Sequence, residues 1–134
     1  MREIMKSNEE LLELAKEAAE NAYAPYSKFK VGACALYESG NYYPGCNIEN
    51  ASYGLALCAE RNAISSAIAA GEKSPLVKIA IYSPNTNLCW PCGACRQWIY
   101  EFENGQHTKI LVEGEDSEIL SYCINELLPH NFKL

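Results

Sequence analysis

The chain has 134 residues, of which 49% are hydrophobic and 21% charged, with a formal net charge of −6, a composition typical of one globular domain spanning residues 1–134. Its apolar stretches are shorter than the ~18 residues of a membrane span, and the glutamates among its first 20 residues argue against a signal peptide, so the expected location is the cytoplasm. The acidic balance disfavours nucleic acid as a partner, although Lys28, Lys30, Arg61 and Arg96 could still converge into a local basic patch.

The first half of the chain predicts a helix, a hairpin and a second helix. Ser7 and Glu10 have the spacing of a capping box, and apolar side chains at helical intervals extend the first helix over 8–22. Strands are predicted over 29–37 and 42–47, joined by a Ser39-Gly40-Asn41 turn. A mostly apolar helix is predicted over 58–70, closed by Gly71.

The second half alternates strands and helices. Residues 77–82 predict a central strand, and Pro91 suits the first turn of a third helix over 91–103. A strand over 109–113 and a short helical segment over 121–128 complete the chain. This order predicts an α/β layered domain around a mixed sheet.

Three cysteines and one glutamate lie near the starts of the second and third predicted helices. Cys58 begins one helix, while Cys92 and Cys95, after Pro91, place two thiols on one side of a helical turn. Thiols at helix N-termini have lowered pKa values, and the thiolate is the form that binds metal. Three thiolates can hold zinc with one position open, and Glu60 offers an acid/base beside it, as hydrolysis requires. Zinc deaminases have a similar arrangement.

Two other interpretations of these cysteines stay open. Cys92 and Cys95 alone could form a thioredoxin-like redox pair, although that motif normally follows the first strand of a βαβ unit. Cys89 could close the zinc site as a fourth ligand, which would make the metal structural and leave Glu60 without a role. The cysteines outside the metal pattern are otherwise expected to be small buried hydrophobes in a reducing compartment; they are Cys34, Cys46, Cys89 and Cys123.

Two arginines directly follow these motifs. Three thiolates on a divalent zinc give a net negative centre, and guanidinium groups near the sulfurs would withdraw charge through hydrogen bonds. Arg61 and Arg96 are predicted to have this role, Arg61 more so. The alternative is that both are ordinary surface or interface cations.

Four motifs resemble the small cytidine deaminases. They are Tyr26-Ser27-Lys28-Phe29-Lys30-Val31-Gly32-Ala33, Gly45-Cys46-Asn47-Ile48-Glu49-Asn50, Cys58-Ala59-Glu60-Arg61 and Pro91-Cys92-Gly93-Ala94-Cys95-Arg96-Gln97. The resemblance continues to Leu127-Leu128-Pro129 and covers nearly the whole chain. Some relatives have histidine at the position of Cys58. With cysteine there, the chain resembles the branch of the family that binds zinc through three thiolates and forms tetramers. The resemblance implies a three-layer α/β/α sandwich around a mixed sheet of about five strands, and one Zn²⁺ per chain.

The resemblance also implies roles for substrate-binding residues. Asn47 and Glu49 match the positions that hold the ribose hydroxyls, and Phe29 matches the aromatic residue that packs on the pyrimidine. The main chain around Ala59 and Cys92 is expected to orient the exocyclic amine of the substrate. Phe132 resembles a tail aromatic that reaches the site of a neighbouring subunit. Trp90 is a departure, because relatives usually have a small residue there.

The implied reaction is the zinc-dependent hydrolytic deamination of cytidine and 2′-deoxycytidine to the uridine products and ammonia, within pyrimidine salvage. Cys58, Cys92 and Cys95 would bind the zinc, and Glu60 would shuttle protons. Three alternatives stay open: another small aminated pyrimidine as substrate, a single-stranded nucleic acid as substrate, and a non-enzymatic zinc module.

Overall fold

The structure, a computed structural model, describes residues 5–134. Its helices and strands are α1 Asn8–Ala19, β1 Gly32–Tyr37, β2 Tyr42–Cys46, a 3₁₀ turn Tyr53–Leu55, α2 Ala59–Ala69, β3 Leu76–Tyr82, α3 Gly93–Glu101, β4 Lys109–Glu113, β5 Ile119–Cys123 and α4 Ile124–Leu127. None of the helices in this part of the chain is long and apolar enough to cross a bilayer.

The five strands form one mixed sheet in the order β2-β1-β3-β4-β5. β1 is antiparallel to both β2 and β3, β3 is parallel to β4, and β5 returns antiparallel to β4. α1 packs on one face, and α2, α3 and α4 contribute to the core on the other. The predicted three-layer α/β/α sandwich is therefore confirmed.

The central strands β1, β3 and β4 are mostly apolar on both faces because helices cover both. Successive side chains of a strand point to opposite faces, and the two buried clusters follow this alternation. Cys34, Leu36, Ala80 and Leu111 pack against α1, whereas Ala33, Ala35, Ile79, Ile81, Ile110 and Val112 pack in the cluster that contains α2 and α3 residues.

Strand β5 corrects the prediction of a helix over 121–128. Residues 119–123 pair with β4, and the helix begins only at Ile124. The connecting turn contains Ser117 with a left-handed φ of 62°, and no Asn-Gly or Asp-Gly pair marks it as a hairpin. Ser121 and Tyr122 are exposed on this edge strand, so its pattern lacks a clear apolar alternation.

Two further boundaries differ from the prediction by three residues, while α3, at Gly93–Glu101, is two residues shorter at each end than predicted. Helix α1 ends at Ala19 rather than at residue 22, because Glu20, Asn21 and the next residue bond three residues back in a tightened last turn. β1 begins at Gly32 rather than at residue 29. Phe29 and Val31 bond to the Asn47 side chain, and Lys30 bonds to the Asn85 and Ser83 side chains, so side chains rather than a strand ladder hold most polar groups of this segment. Lys28 before it has a φ of 62°.

Gly45 lets α2 lie directly on β2. A Cβ atom added there would stand 2.7 Å from the Ala59 carbonyl oxygen and 2.8 Å from the Ala63 Cα, closer than real contacts allow. The backbone of the helix therefore touches the strand without an intervening side chain. This close approach fixes the position of the α2 N-terminus, where Cys58 and Glu60 lie.

The Glu72 carboxylate joins the β1–β2 turn to the segment after α2. It accepts hydrogen bonds from Ser39, Asn41, Tyr43 and Ser74. Burial raises the pKa of Glu72, but the hydrogen bonds from Ser74, Asn41 and Tyr43 outweigh it and lower the pKa to about 2. The charged form is thus favoured in the folded state.

We expect Glu72→Gln to lower the free energy of unfolding by about 1–2 kcal/mol at pH 7. Because the folded-state pKa lies below the ordinary value of 4.5, this stabilisation is complete above pH ~5 and is lost as the pH falls toward 2. Urea unfolding of both proteins at several pH values measures the effect. A difference between them that stays constant down to pH ~2 would contradict it.

Candidate active site

Three thiols converge where α2 and α3 begin. Cys58 and Cys92 are the N-cap residues of the two helices, and neither side chain caps its own helix. Cys95 follows in the first turn of α3 and is fully buried. The three Sγ atoms all lie within 4.8 Å of one another, and among residues 5–134 they form the group that could hold a metal ion.

The electrostatics of the cluster favour a thiolate. Hydrogen bonding from Cys95, together with the Arg61 guanidinium 3.3 Å from the Cys58 sulfur, lowers the pKa of Cys58 to about 5. The pKa of Cys95 is raised, because its thiol bonds to Cys58 and is buried. One thiolate is therefore ready to receive a metal ion, which would displace the protons of the others. Three closely spaced soft sulfur donors fit zinc.

Cys89 lies outside this group of thiols. Burial is the main cause that raises its pKa, to about 11, so its thiol stays protonated. The structure therefore gives no support to a zinc closed by four cysteines. The third thiol beside Cys92 and Cys95 likewise disfavours a simple redox pair. Of the cysteines expected to be buried, only Cys34 is fully so, while Cys46, Cys89 and Cys123 are partly exposed.

Glu60 lies in the first turn of α2, next to the thiols, and is 5% exposed. Burial is the main cause that raises its pKa, to about 7, and the charge of Cys58 adds to the effect. A carboxyl group with a pKa near neutral pH can both accept and return a proton. Its placement suits the acid/base role predicted for it.

A cavity of about 480 Å³ opens above the thiols and Glu60. Its walls include the following residues predicted as site residues: Phe29, Asn47, Glu49, Cys58, Ala59, Glu60, Arg61 and Cys92. Phe132 is not part of these walls and is 66% exposed. The structure thus brings the predicted site residues to one cavity, except for Cys95 buried behind it, Arg96 and the tail aromatic.

Asn47 and Glu49 follow β2 and organise the segment that carries Phe29. The Asn47 amide donates to the Phe29 carbonyl (2.9 Å) and accepts from the Val31 N–H (2.8 Å). Glu49 accepts from the backbone N–H groups of residues 26 and 27 and from the Ser27 hydroxyl. Hydrogen bonding from the Ser27 side chain is the main cause that lowers the pKa of Glu49. Both side chains therefore help to shape the cavity wall.

The two arginines have different partners. Arg61 bonds to the Cys58 sulfur, and its Nε is buried without a partner. Arg96 donates instead to the Pro91 and Leu127 carbonyl oxygens, both at 2.8 Å, and not to the thiols. Arg96 thus ties the start of α3 to the end of α4. Both guanidinium groups are engaged in these contacts, which does not support the local basic patch with Lys28 and Lys30 that was considered from the sequence.

Several lining residues were not predicted as site residues from the sequence: Val31, Tyr53, Gly54, Ala56 and Leu57. Cys89, considered from the sequence as a fourth zinc ligand, also lines the cavity. The 3₁₀ turn that contains Tyr53 has no side-chain cap and no periodic pattern, so the sequence offers little signal for it. Trp90, noted only as a departure, also lines the cavity and packs on the Tyr122 ring with centroids 5.2 Å apart.

The comparisons with known proteins agree with this site. A family model described as "Cytidine and deoxycytidylate deaminase zinc-binding region" matches residues 5–113. The chain belongs to this deaminase family. The match contains all three thiols and Glu60. Zn²⁺ is the metal of this family's binding region, and the three thiols are the group that could hold it. Membership also identifies the chain as an enzyme that acts by hydrolytic deamination.

Individual deaminases match over nearly their whole length. The cytidine deaminase of Sporosarcina psychrophila is 42% identical over 124 residues, which cover 92% of this chain and 90% of that protein. The crystal structure of cytidine deaminase from Burkholderia pseudomallei has a TM-score of 0.85 at 42% identity, covering 95% of this chain and 100% of that one. The crystal structure from Mycobacterium tuberculosis gives 0.82 at 35% identity, covering 96% and 100%.

Proposed function

We propose that the chain, as a single catalytic domain over residues 1–134, converts cytidine and 2′-deoxycytidine to uridine and 2′-deoxyuridine with release of ammonia. One observation carries this proposal: a buried carboxyl group, Glu60, lies beside three clustered thiols in a cavity that Asn47 and Glu49 also line. The cavity has the size of a small-molecule site. The names of the matching relatives supply the substrate.

Cys58, Cys92 and Cys95 would hold the zinc. A zinc ion at this position supplies Lewis acidity that lowers the pKa of a water molecule toward neutrality. The hydrogen bond from Arg61 to Cys58 withdraws charge from the sulfurs and thereby supports that acidity.

Glu60 moves the protons of the reaction. Its carboxylate accepts a proton from the attacking water and passes it to N3 of the pyrimidine, which makes C4 electrophilic. The water oxygen bonds to C4, and the C4–N bond breaks after Glu60 delivers the second water proton to the amino nitrogen. Ammonia leaves, and the C4 carbonyl of uridine remains, so atoms and charge balance.

The other walls hold the nucleoside. Phe29 offers a ring face for the base, and the Ala59 main chain lies where it can orient the amine. Glu49 and Asn47 each keep hydrogen-bonding capacity beyond their contacts with residues 26–31, which suits them to sugar hydroxyls.

We propose further that the enzyme is a cytoplasmic homotetramer of pyrimidine salvage. Large apolar side chains near the cavity are exposed in the single chain, notably Tyr53 at 76% and Leu55 at 67%. Such side chains suit an interface between copies. Phe132, at 66% exposed, would then enter the cavity of a neighbouring copy.

Ultraviolet spectra of cytidine incubated with the purified, zinc-loaded protein test the proposed reaction. We expect conversion to the uridine spectrum and stoichiometric ammonia. Unchanged cytidine in the presence of one zinc per chain would reject cytidine as substrate. Other aminated pyrimidine nucleosides would then be tested in the same assay.

Glu49→Gln separates sugar binding from the shaping of the wall. Glutamine keeps an oxygen for the Tyr26 and Ser27 N–H groups but loses the negative charge offered to a hydroxyl. We expect the KM for cytidine to rise by about tenfold or more, with little change in melting temperature, because a hydrogen bond to a charged group is lost. Steady-state kinetics measure this, with Glu38→Gln on the exposed β1–β2 turn as the control. An unchanged KM would remove Glu49 from sugar binding.

A further inference from the structure

The segment after α4 lies along α3. The Asn131 amide donates to the Leu128 carbonyl (2.7 Å), and His130 has a left-handed φ of 52°, which turns the chain. The Gln97 amide of α3 then donates to the Phe132 carbonyl (3.3 Å). The backbone at Phe132 is thus held on the same helix whose first turn carries two of the zinc thiols.

Lys133 makes two further contacts with the far end of α3. Its Nζ lies 4.8 Å from the centroid of the Tyr100 ring and 3.9 Å from the Glu103 carboxylate. Gln97 and Tyr100 are three residues apart, so they lie on one side of the helix. Lys133 therefore continues the line of contacts that Gln97 begins.

Glu103 is an unusual partner because it is a buried acid, 6% exposed. Its two oxygens accept hydrogen bonds from the Gly105 and His107 N–H groups, both at 3.0 Å, and so order the turn before β4. A buried carboxylate requires hydrogen bonds or a cation. Lys133 supplies the cation, and the aromatic face of Tyr100 covers the other side of its ammonium group.

We propose that Lys133 is a positioning residue that anchors the tail so that Phe132 projects outward in one orientation. Gln97 holds the carbonyl oxygen of Phe132, and the side chain of the next residue, Lys133, holds the chain after it, while the Phe132 side chain is 66% exposed. A side chain ordered before binding loses less entropy when it inserts into another copy. This inference rests on the proposed role of Phe132 in a neighbouring cavity.

Lys133→Met removes the charge and keeps most of the stem, while Lys133→Arg keeps the cation. In the zinc-loaded protein, we expect the methionine variant to show lower backbone ¹⁵N order parameters in residues 130–134 and a several-fold rise in the KM for cytidine, with kcat little changed. The arginine variant should match the wild type in both measurements. Lys73→Met, on the exposed loop after α2, is the matched control.

A double-mutant cycle with Phe132→Ala tests whether Lys133 acts through the aromatic side chain. We expect Lys133→Met to add no further KM increase once Phe132 is alanine. Equal effects in both backgrounds, or unchanged order parameters in the tail, would overturn the proposal. If the wild type shows no turnover of cytidine, the proposed function fails; the order parameters still decide whether Lys133 anchors the tail.

Discussion

Glu60→Gln is expected to retain zinc and fold but to lower kcat for cytidine by about 10²- to 10⁴-fold. Glutamine has nearly the same size as glutamate and cannot take a proton from water. Glu60 is 5% exposed and lines the cavity, and it is not a member of the group of thiols that could hold the metal. Stopped-flow and steady-state assays that follow the absorbance of cytidine measure the loss of kcat.

Two controls accompany this variant. Zinc content and melting temperature should equal those of the wild type, because the neutral amide has nearly the size of the carboxyl group. Burial, the main cause that raises the pKa of Glu60 to about 7, already disfavours the charged form there. Glu60→Asp should retain more activity than Glu60→Gln, since it keeps a carboxyl group on a shorter stem. A glutamine variant with near wild-type kcat would remove Glu60 from proton transfer.

Cys95→Ala is expected to lose zinc and stability together. Cys95 is fully buried, and its sulfur lies within 4.8 Å of the other two. With one of three thiolates gone, the binding free energy of the metal no longer contributes to folding. We expect less than one tenth of the wild-type zinc content after dialysis, and a melting temperature lower by about 10 °C or more. Elemental analysis and calorimetry measure both.

Cys89→Ala is the matched control for this experiment. Its thiol lines the cavity but lies outside the metal group, so the variant should keep one zinc per chain. Loss of zinc from Cys89→Ala would revive the closed four-thiolate site. Full zinc occupancy in Cys95→Ala would contradict the ligand assignment.

The chemistry of the site was accessible from the sequence because it depends on short-range spacing. Cys92 and Cys95 share one turn of α3, and Glu60 lies two residues after Cys58, so few backbone conformations could separate them. The distance between the Cys58–Glu60 pair and the Cys92–Cys95 pair depends on how the sheet positions α2 and α3. The four strands predicted from the sequence indicated this sheet in outline. Resemblance to deaminases supplied the pairing that spacing alone left open.

What the sequence missed depends on contacts between distant segments. Arg96 directly follows Cys95, yet its guanidinium bonds to the Leu127 carbonyl, 31 residues away. Strand β5 lies at an exposed edge of the sheet and has a weak apolar pattern. Its antiparallel pairing with β4 stabilises it instead. The wall around Tyr53 comes from a 3₁₀ turn without a cap, which local propensity does not distinguish from a loop.

The close approach at Gly45 limits how this pocket can be redesigned. Since the backbone of α2 rests on the strand there, even one added methyl group would displace the helix that carries Cys58 and Glu60. Variant libraries that aim to change which nucleosides are accepted should therefore leave Gly45 unchanged. Trp90 is the better position to vary, because it lines the cavity from a loop and is supported by a ring, Tyr122, rather than by packed backbone.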